Sequence, residues 1–461
     1  MPPANNAFGG GASDTVLGPG VLVLMLVAMV LVFVVPRRFV LAPLMFGIFL
    51  LPTGQSIVLG GVHLFISRLL ILAGLIRAAI SPKSSRSRLG AGFILLDKIF
   101  IVWIIYRSLA FILTYHGEGG AVVNQVGYLW DSLGGYFLMR MLIRDEADIH
   151  RTIRILCGVA IVLSLTMLYE KFRNFNVYGV LTGQPIIPVI RQGSIRAQGP
   201  FHHAILAGVF GATLLPLFIL LYGSTKDKLL SVVGMMASVA ITFSSASSTP
   251  ASALIGGILA ICLWPLRRNM RLVRWSLAIG IFALAMSMRA PAWYVLEHID
   301  LAGGSAGQHR SELVGNFITH FSDWWLIGTK DNASWGFEMW DISNQYVAEG
   351  EVGGLLCFVC IIAVITILFK KIGKRRRFAR TRREEWYFWL LGAALFAHVM
   401  AFFGISYFDQ TVHSWYALIA MIIVATSVRI RQRAGERQPE LALGADGSIT
   451  KDHIQVKEVI V

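Results

Sequence analysis

Apolar residues come in long blocks along this chain, and short polar connectors separate them. At 1.5 Å per residue most of the blocks approach or match the roughly 30 Å of a bilayer's hydrocarbon core. Backbone groups in hydrocarbon must satisfy each other, so the blocks predict α-helices. They fall at about 20–36, 39–53, 59–77, 91–114, 121–140, 153–170, 204–222, 229–245, 250–266, 275–289, 353–370, 387–405 and 412–428. The segment 39–53 is short enough to be re-entrant instead, which would move the amino terminus to the other side. Two longer polar stretches break the rhythm, at 171–203 and 290–352. Within the second, Leu313, Phe317, Ile318 and Phe321 share a helical face while Glu312, Asn316 and His320 lie elsewhere. That pattern predicts an amphipathic helix over 308–321, lying on a membrane surface.

The expected fold is therefore all-α: a polytopic integral membrane protein of about 12–13 helices spanning 1–428. Residues 429–461 then read as a polar, disordered cytoplasmic tail. Composition agrees, at 56% hydrophobic, 15% charged and a mean hydropathy of +0.65, and excludes an ordinary soluble domain. The net charge of +15 is set by position. Most of the 41 Lys and Arg sit in alternate connectors, among them Arg37-Arg38, Arg267 to Arg274 and the run from Lys370 to Arg383. Such bias marks the cytoplasmic side, which puts 171–203 and 290–352 outside. Nucleic acid is not an expected partner; the basic run reads as an orientation signal and a contact for lipid headgroups. Residues 1–18 lack Lys and Arg, so no cleavable signal peptide is expected.

On the face where positive charge is scarce, Arg191, Arg196 and Arg310 stand out. A guanidinium offers five donors in a rigid fork suited to phosphate oxygens. Three of them suit a lipid diphosphate, or else ordinary anionic lipid and pairing with Glu312 and Asp341. His202, His203, His309, Glu312, Asp341 and Glu351 are the acid–base candidates there. Trp324, Trp325, Trp335 and Trp340 read as interfacial anchors or as platforms for sugar rings. Within the spans, Arg68, Asp97, Lys98, Arg107 and Asp131 are costly in hydrocarbon, and helical rise places Arg107 and Asp131 near enough to pair. Cys357 and Cys360 have CxxC spacing, but without a second pair or a His they read as apolar filler. No glycine-rich phosphate loop or acidic metal cluster is present, so neither metal nor other cofactor is expected.

Three blocks together carry a resemblance: 196–203 (Arg-Ala-Gln-Gly-Pro-Phe-His-His), Arg310 with 324–329 (Trp-Trp-Leu-Ile-Gly-Thr), and 341–346 (Asp-Ile-Ser-Asn-Gln-Tyr) with 351–354 (Glu-Val-Gly-Gly). They resemble the O-antigen polymerase and ligase superfamily of bacterial membrane glycosyltransferases, nearest its exopolysaccharide polymerases. The resemblance implies a GT-C-like fold in the inner membrane and an undecaprenyl-diphosphate-linked oligosaccharide as substrate. It implies that Arg196 and Arg310 hold the diphosphate, with Arg191, His203, Trp325 and Asn344 near the substrate and His309 or Asp341 as the base. A flippase and a chain-length co-polymerase are the implied partners. Ligases of the family carry His-Asn late in the loop, where this chain has Ser343-Asn344, which favours polymerisation over transfer to lipid A core or protein. A transporter of lipid-linked sugar is the expectation from a different class.

Overall fold

A computed structural model describes residues 15–59, 62–80, 91–223, 226–288 and 306–436, together with 89, 291, 293 and 294. It is mostly helical, and its elements follow the apolar blocks closely. Helices α1 (Pro19–Val34), α2 (Leu41–Leu50), α3 (Ile66–Ile80) and α4 (Leu95–Thr114) come first. Next are α5 (Gly119–Leu129), α6 (Gly135–Leu142), α7 (Glu146–Arg173) and the short α8 (Tyr178–Thr182). Then follow α9 (Ala204–Tyr222), α10 (Lys228–Ser244), α11 (Ser248–Cys262) and α12 (Met270–Ser287). The loop helices α13 (Ala306–Thr319) and α14 (Phe321–Trp324) precede α15 (Gln345–Arg377), α16 (Arg382–Phe402) and α17 (Thr411–Glu436).

Among the described residues, five helical stretches are long and apolar enough to cross a membrane: α7, α9, 264–287 (which ends in α12), α15 and α16. Four more apolar helices are shorter: α1, α10, α11 and most of α17. α9 is buried on all sides, packed by α7, α10, α11, α16 and α17. A helix apolar around its whole circumference needs such a central place. α12 is the opposite case, with none of its residues buried.

Several boundaries differ from those the pattern predicts. The expected span at 59–77 starts late, because β1 (Ser56–Leu59) and β2 (Val62–Phe65) form an antiparallel hairpin before α3. Val, Ile and Phe serve a strand as readily as a helix, so hydropathy alone does not separate the two. The expected span at 121–140 is interrupted by a π turn at Trp130–Gly134. α15 begins at Gln345 rather than 353, so the second polar stretch ends at Asn344. α17 continues to Glu436, past the expected boundary at 428, and the rest of the tail lies outside the described residues. The segment 295–305, part of the predicted outer loop, also lies outside them.

The two ends of the bundle differ in chemistry. At one end Arg154 pairs with Asp227 at 2.8 Å and Arg267 with Glu385 at 3.1 Å, while Arg383 donates to the Gly223 carbonyl. These are the basic connectors of the predicted cytoplasmic side. At the other end, the connectors are stitched together by polar side chains: Gln410 Nε2 donates to the Leu51 carbonyl at 2.6 Å, and Thr249 Oγ1 to that of Gly404 at 3.1 Å. All the candidate residues of the two long polar stretches belong to this second end.

Candidate functional site

Arg191 and Arg196 sit on a β-hairpin, β3 (Val189–Arg191) and β4 (Ser194–Arg196). Gln192 and Gly193 both have positive φ, 50° and 72°, the requirement of a two-residue type I′ turn. Arg191 pairs across the strands with Ser194, and Ser194 and Arg196 point the same way along β4. Both arginines therefore project from one face. Burial, and then the positive charge of Arg191, makes the Arg196 guanidinium easier to deprotonate than usual. Its Nε is buried without a hydrogen-bond partner among the described residues. A buried donor without a partner is costly.

The hairpin is anchored where α10 meets α11. Ala197 N donates to the Ser244 carbonyl at 3.0 Å. The fully buried Ser244 Oγ also lacks a partner among the described residues. Arg310, on α13, reaches the other end of the same junction. Its Nη2 donates to Thr249 Oγ1 at 2.7 Å and its Nη1 to Ser248 Oγ at 3.2 Å. Thus the segments carrying Arg196 and Arg310 attach to one polar turn, residues 244–249. α9 and α11 start at this corner, and helix N-termini add positive potential there.

His203 precedes α9 and makes no side-chain cap bond. Its proton affinity is lowered, chiefly by burial, then by His202, with Asp341 opposing and Arg196 adding to the effect. Asp341 of the second polar stretch is therefore within electrostatic reach of the first. His309 Nε2 bonds the Asp341 backbone carbonyl at 2.9 Å, which ties the imidazole to the backbone of the other proposed base.

The remaining candidates have structural partners. Asn344 is buried and caps α15, its Oδ1 accepting from Tyr346 N and Val347 N at 2.9 and 3.3 Å. An asparagine at this position is the expected cap, so its carbonyl oxygen is already occupied. Trp325 is exposed, and its carbonyl accepts from Leu355 N at 2.8 Å. Trp324 is buried, stacked on Phe317 at 3.9 Å and donating to the Phe317 carbonyl. Of the predicted amphipathic face, Leu313 and Phe317 are buried with Trp324, Trp335 and Met339, while Ile318 and Phe321 stay exposed.

The expected Arg107–Asp131 pair does not form. Asp131, in the π turn, takes Arg68 at 2.8 Å, and Arg107 takes Glu349 at 3.3 Å. Rise along a hairpin fixes depth but not the direction a side chain faces, and α3 and α15 supply the true partners. Glu349 also accepts from Trp103 Nε1 and Gln345 Nε2, both at 2.8 Å. Gln345 Oε1 in turn accepts from Tyr407 N, and Tyr407 Oη bonds His398 Nδ1. The sequence pattern places Glu349 in the loop ahead of the span at 353, so it gives no sign of this chain of polar groups. The Ser/Thr-rich 244–249 turn reads in the sequence as a connector, although six successive small residues between two apolar helices, five of them Ser or Thr, are a signal. Among the described residues, no group of three or more His, Cys, Asp or Glu is placed to hold a metal.

No protein-family model and no curated protein matches this chain. The chemistry of the site therefore rests on its own residues. Arg68 also borders a lateral cavity of about 810 Å³ lined by Leu72, Val122, Val126, Leu133 and Phe137.

Proposed function

We propose that this chain is a membrane glycosyltransferase that joins oligosaccharide repeat units linked to undecaprenyl diphosphate, forming a surface polysaccharide. It would act on the periplasmic face of a bacterial inner membrane, as a member of the O-antigen polymerase and ligase superfamily. The observation that carries the reading is the shared seat of Arg196 and Arg310 on residues 244–249. Two guanidinium-bearing segments from distant parts of the sequence meet at one end of an apolar bundle, beside unpartnered buried polar atoms. An anion with several oxygens satisfies such a corner.

In this reaction a hydroxyl of one repeat unit attacks the anomeric carbon of the sugar that another chain carries on its lipid diphosphate. The anomeric carbon–oxygen bond breaks, and its electron pair leaves with the diphosphate. Arg196 and Arg310 stabilise the charge that develops there, and a base takes the hydroxyl proton. Losing one preorganised donor of this kind costs on the order of a hundredfold or more in rate. Arg310→Ala, expressed at the wild-type level, is therefore expected to lose long polymer when products from purified protein and lipid-linked oligosaccharide are separated on a gel. Arg310→Lys should restore part of the length, since it keeps the charge but not the fork. Wild-type polymer from Arg310→Ala would remove the residue from the mechanism.

A transporter of lipid-linked sugar is the second reading, favoured by the buried Arg68–Asp131 and Arg107–Glu349 pairs. The same assay separates the two, because a transporter leaves the oligosaccharide unelongated.

A further inference from the structure

We propose that Asp409, on the connector between α16 and α17, accepts the proton of the attacking hydroxyl, with His202 as its charged or hydrogen-bonding neighbour. The inference rests on the glycosyl-transfer reading and supplies its missing base.

The connector is held against the end of α2 and the start of α9. Gln410 Nε2 donates to the Leu51 carbonyl at 2.6 Å, and Thr411 Oγ1 to the Leu206 carbonyl at 3.4 Å. Phe408 packs edge-on against His202 at 6.2 Å and His203 at 5.8 Å, and the two imidazoles lie 4.6 Å apart. Asp409 follows with φ of 51°, a left-handed conformation that few residues other than Gly, Asn and Asp adopt. Backbone strain of this kind persists where surrounding contacts enforce it. The connector thus brings Asp409 within electrostatic reach of His202, whose neighbour His203 feels the charge of Arg196. Its carboxylate has no hydrogen bond or ion pair among the described residues, and the residue keeps contact with solvent.

The charged groups facing it come from three elements: His202 ahead of α9, Asp131 in the π turn and Arg68 of α3. Burial raises its proton affinity most; Asp131 adds to the rise, and His202 and Arg68 oppose it. A carboxylate whose proton affinity is raised in this way is a stronger base than one with the ordinary value. His309, by comparison, is bound to a backbone carbonyl. In the step itself, the hydroxyl proton moves to an Asp409 oxygen as the oxygen–carbon bond forms. The electron pair of the broken bond goes to the lipid diphosphate.

The test uses purified full-length protein and lipid-linked oligosaccharide, with Asp409→Asn, Asp409→Glu and, for comparison, Asp341→Asn. Asparagine keeps the size and tolerates the left-handed backbone, so Asp409→Asn is expected to elute from a sizing column as the wild type does. Its turnover should fall at least a hundredfold with KM little changed, and Asp409→Glu should regain part of it. In the wild type, acid protonates Asp409 and turnover falls as pH drops through its raised pKa. The residual activity of Asp409→Asn should lack that acid limb, while Asp341→Asn should keep it. Wild-type turnover in Asp409→Asn, or an unchanged acid limb, overturns the assignment while elongation itself stands. If the wild type elongates nothing, the glycosyl-transfer reading fails, and this inference fails with it.

Discussion

Arg68 shows how one side chain determines its surroundings. Its Nε and Nη2 donate to both oxygens of Asp131 at 2.8–3.1 Å, and Nη1 to the His63 carbonyl at 2.9 Å. The guanidinium lies over Gly127, where an added Cβ would stand 2.5 Å from Nη2. Because these bonds hold the fork, it cannot yield cheaply. Gly127→Ala should therefore destabilise the protein by about 1–3 kcal/mol, the usual cost of overpacking. Thermal unfolding in detergent checks this, and an unchanged midpoint would mean that Arg68 moves freely. The fully buried Arg140–Asp97 pair, at 3.1 Å, is a second such arrangement, joined by Tyr136 Oη at 2.6 Å. Both pairs involve residues that the sequence marks as costly in hydrocarbon, but only the packing assigns Arg68 to Asp131 and Arg140 to Asp97.

At the scale of elements, α15 shows how a helix can be broken and still be satisfied. Gly353 and Gly354 leave helical geometry, and Gly354 has φ of 66°. Residues 325–329 fit into the break: Thr329 N donates to the Glu351 carbonyl at 2.7 Å, and Leu355 N to that of Trp325 at 2.8 Å. The break thus fixes the second polar stretch to the bundle. A Cβ at position 354 would strike the Leu326 carbonyl oxygen. The left-handed backbone would cost a further 1–2 kcal/mol or so in any L-residue with a side chain. Gly354→Ala should detach this clamp, seen as faster proteolysis within 325–341 at unchanged expression. Equal protection in the mutant would show that the clamp does not depend on the break. The sequence places a Gly-Gly pair at this point but suggests a helix start; the two turns before it become helical because Asn344 caps them.

At the scale of the whole molecule, basic connectors gather at one end of the bundle, and both polar stretches with their arginines gather at the other. If the molecule is inserted as its charge bias predicts, the two ends face different compartments. With the four native cysteines replaced, Lys330→Cys should react with a membrane-impermeant maleimide in intact cells made permeable only at the outer membrane. Arg382→Cys should react only after the inner membrane is opened. The reverse pattern would invert the orientation and separate the Arg196–Arg310 corner from any periplasmic substrate.

The sequence by itself determined where helices run and which connectors share an end. Both are local: apolar length sets the helix, and alternation of basic connectors sets the side. It also singled out Arg196 and Arg310, because an arginine fork on a face where positive charge is otherwise scarce is conspicuous in one dimension. Only the tertiary structure decided partners. Asp131 chose Arg68 over Arg107, Glu349 entered the bundle, the 244–249 turn became the common seat of two arginines, and Asp409 came to stand by His202. Each of these depends on the direction a side chain takes around its helix and on which helix lies opposite. Those are properties of packing among distant segments, and no single stretch of sequence contains them.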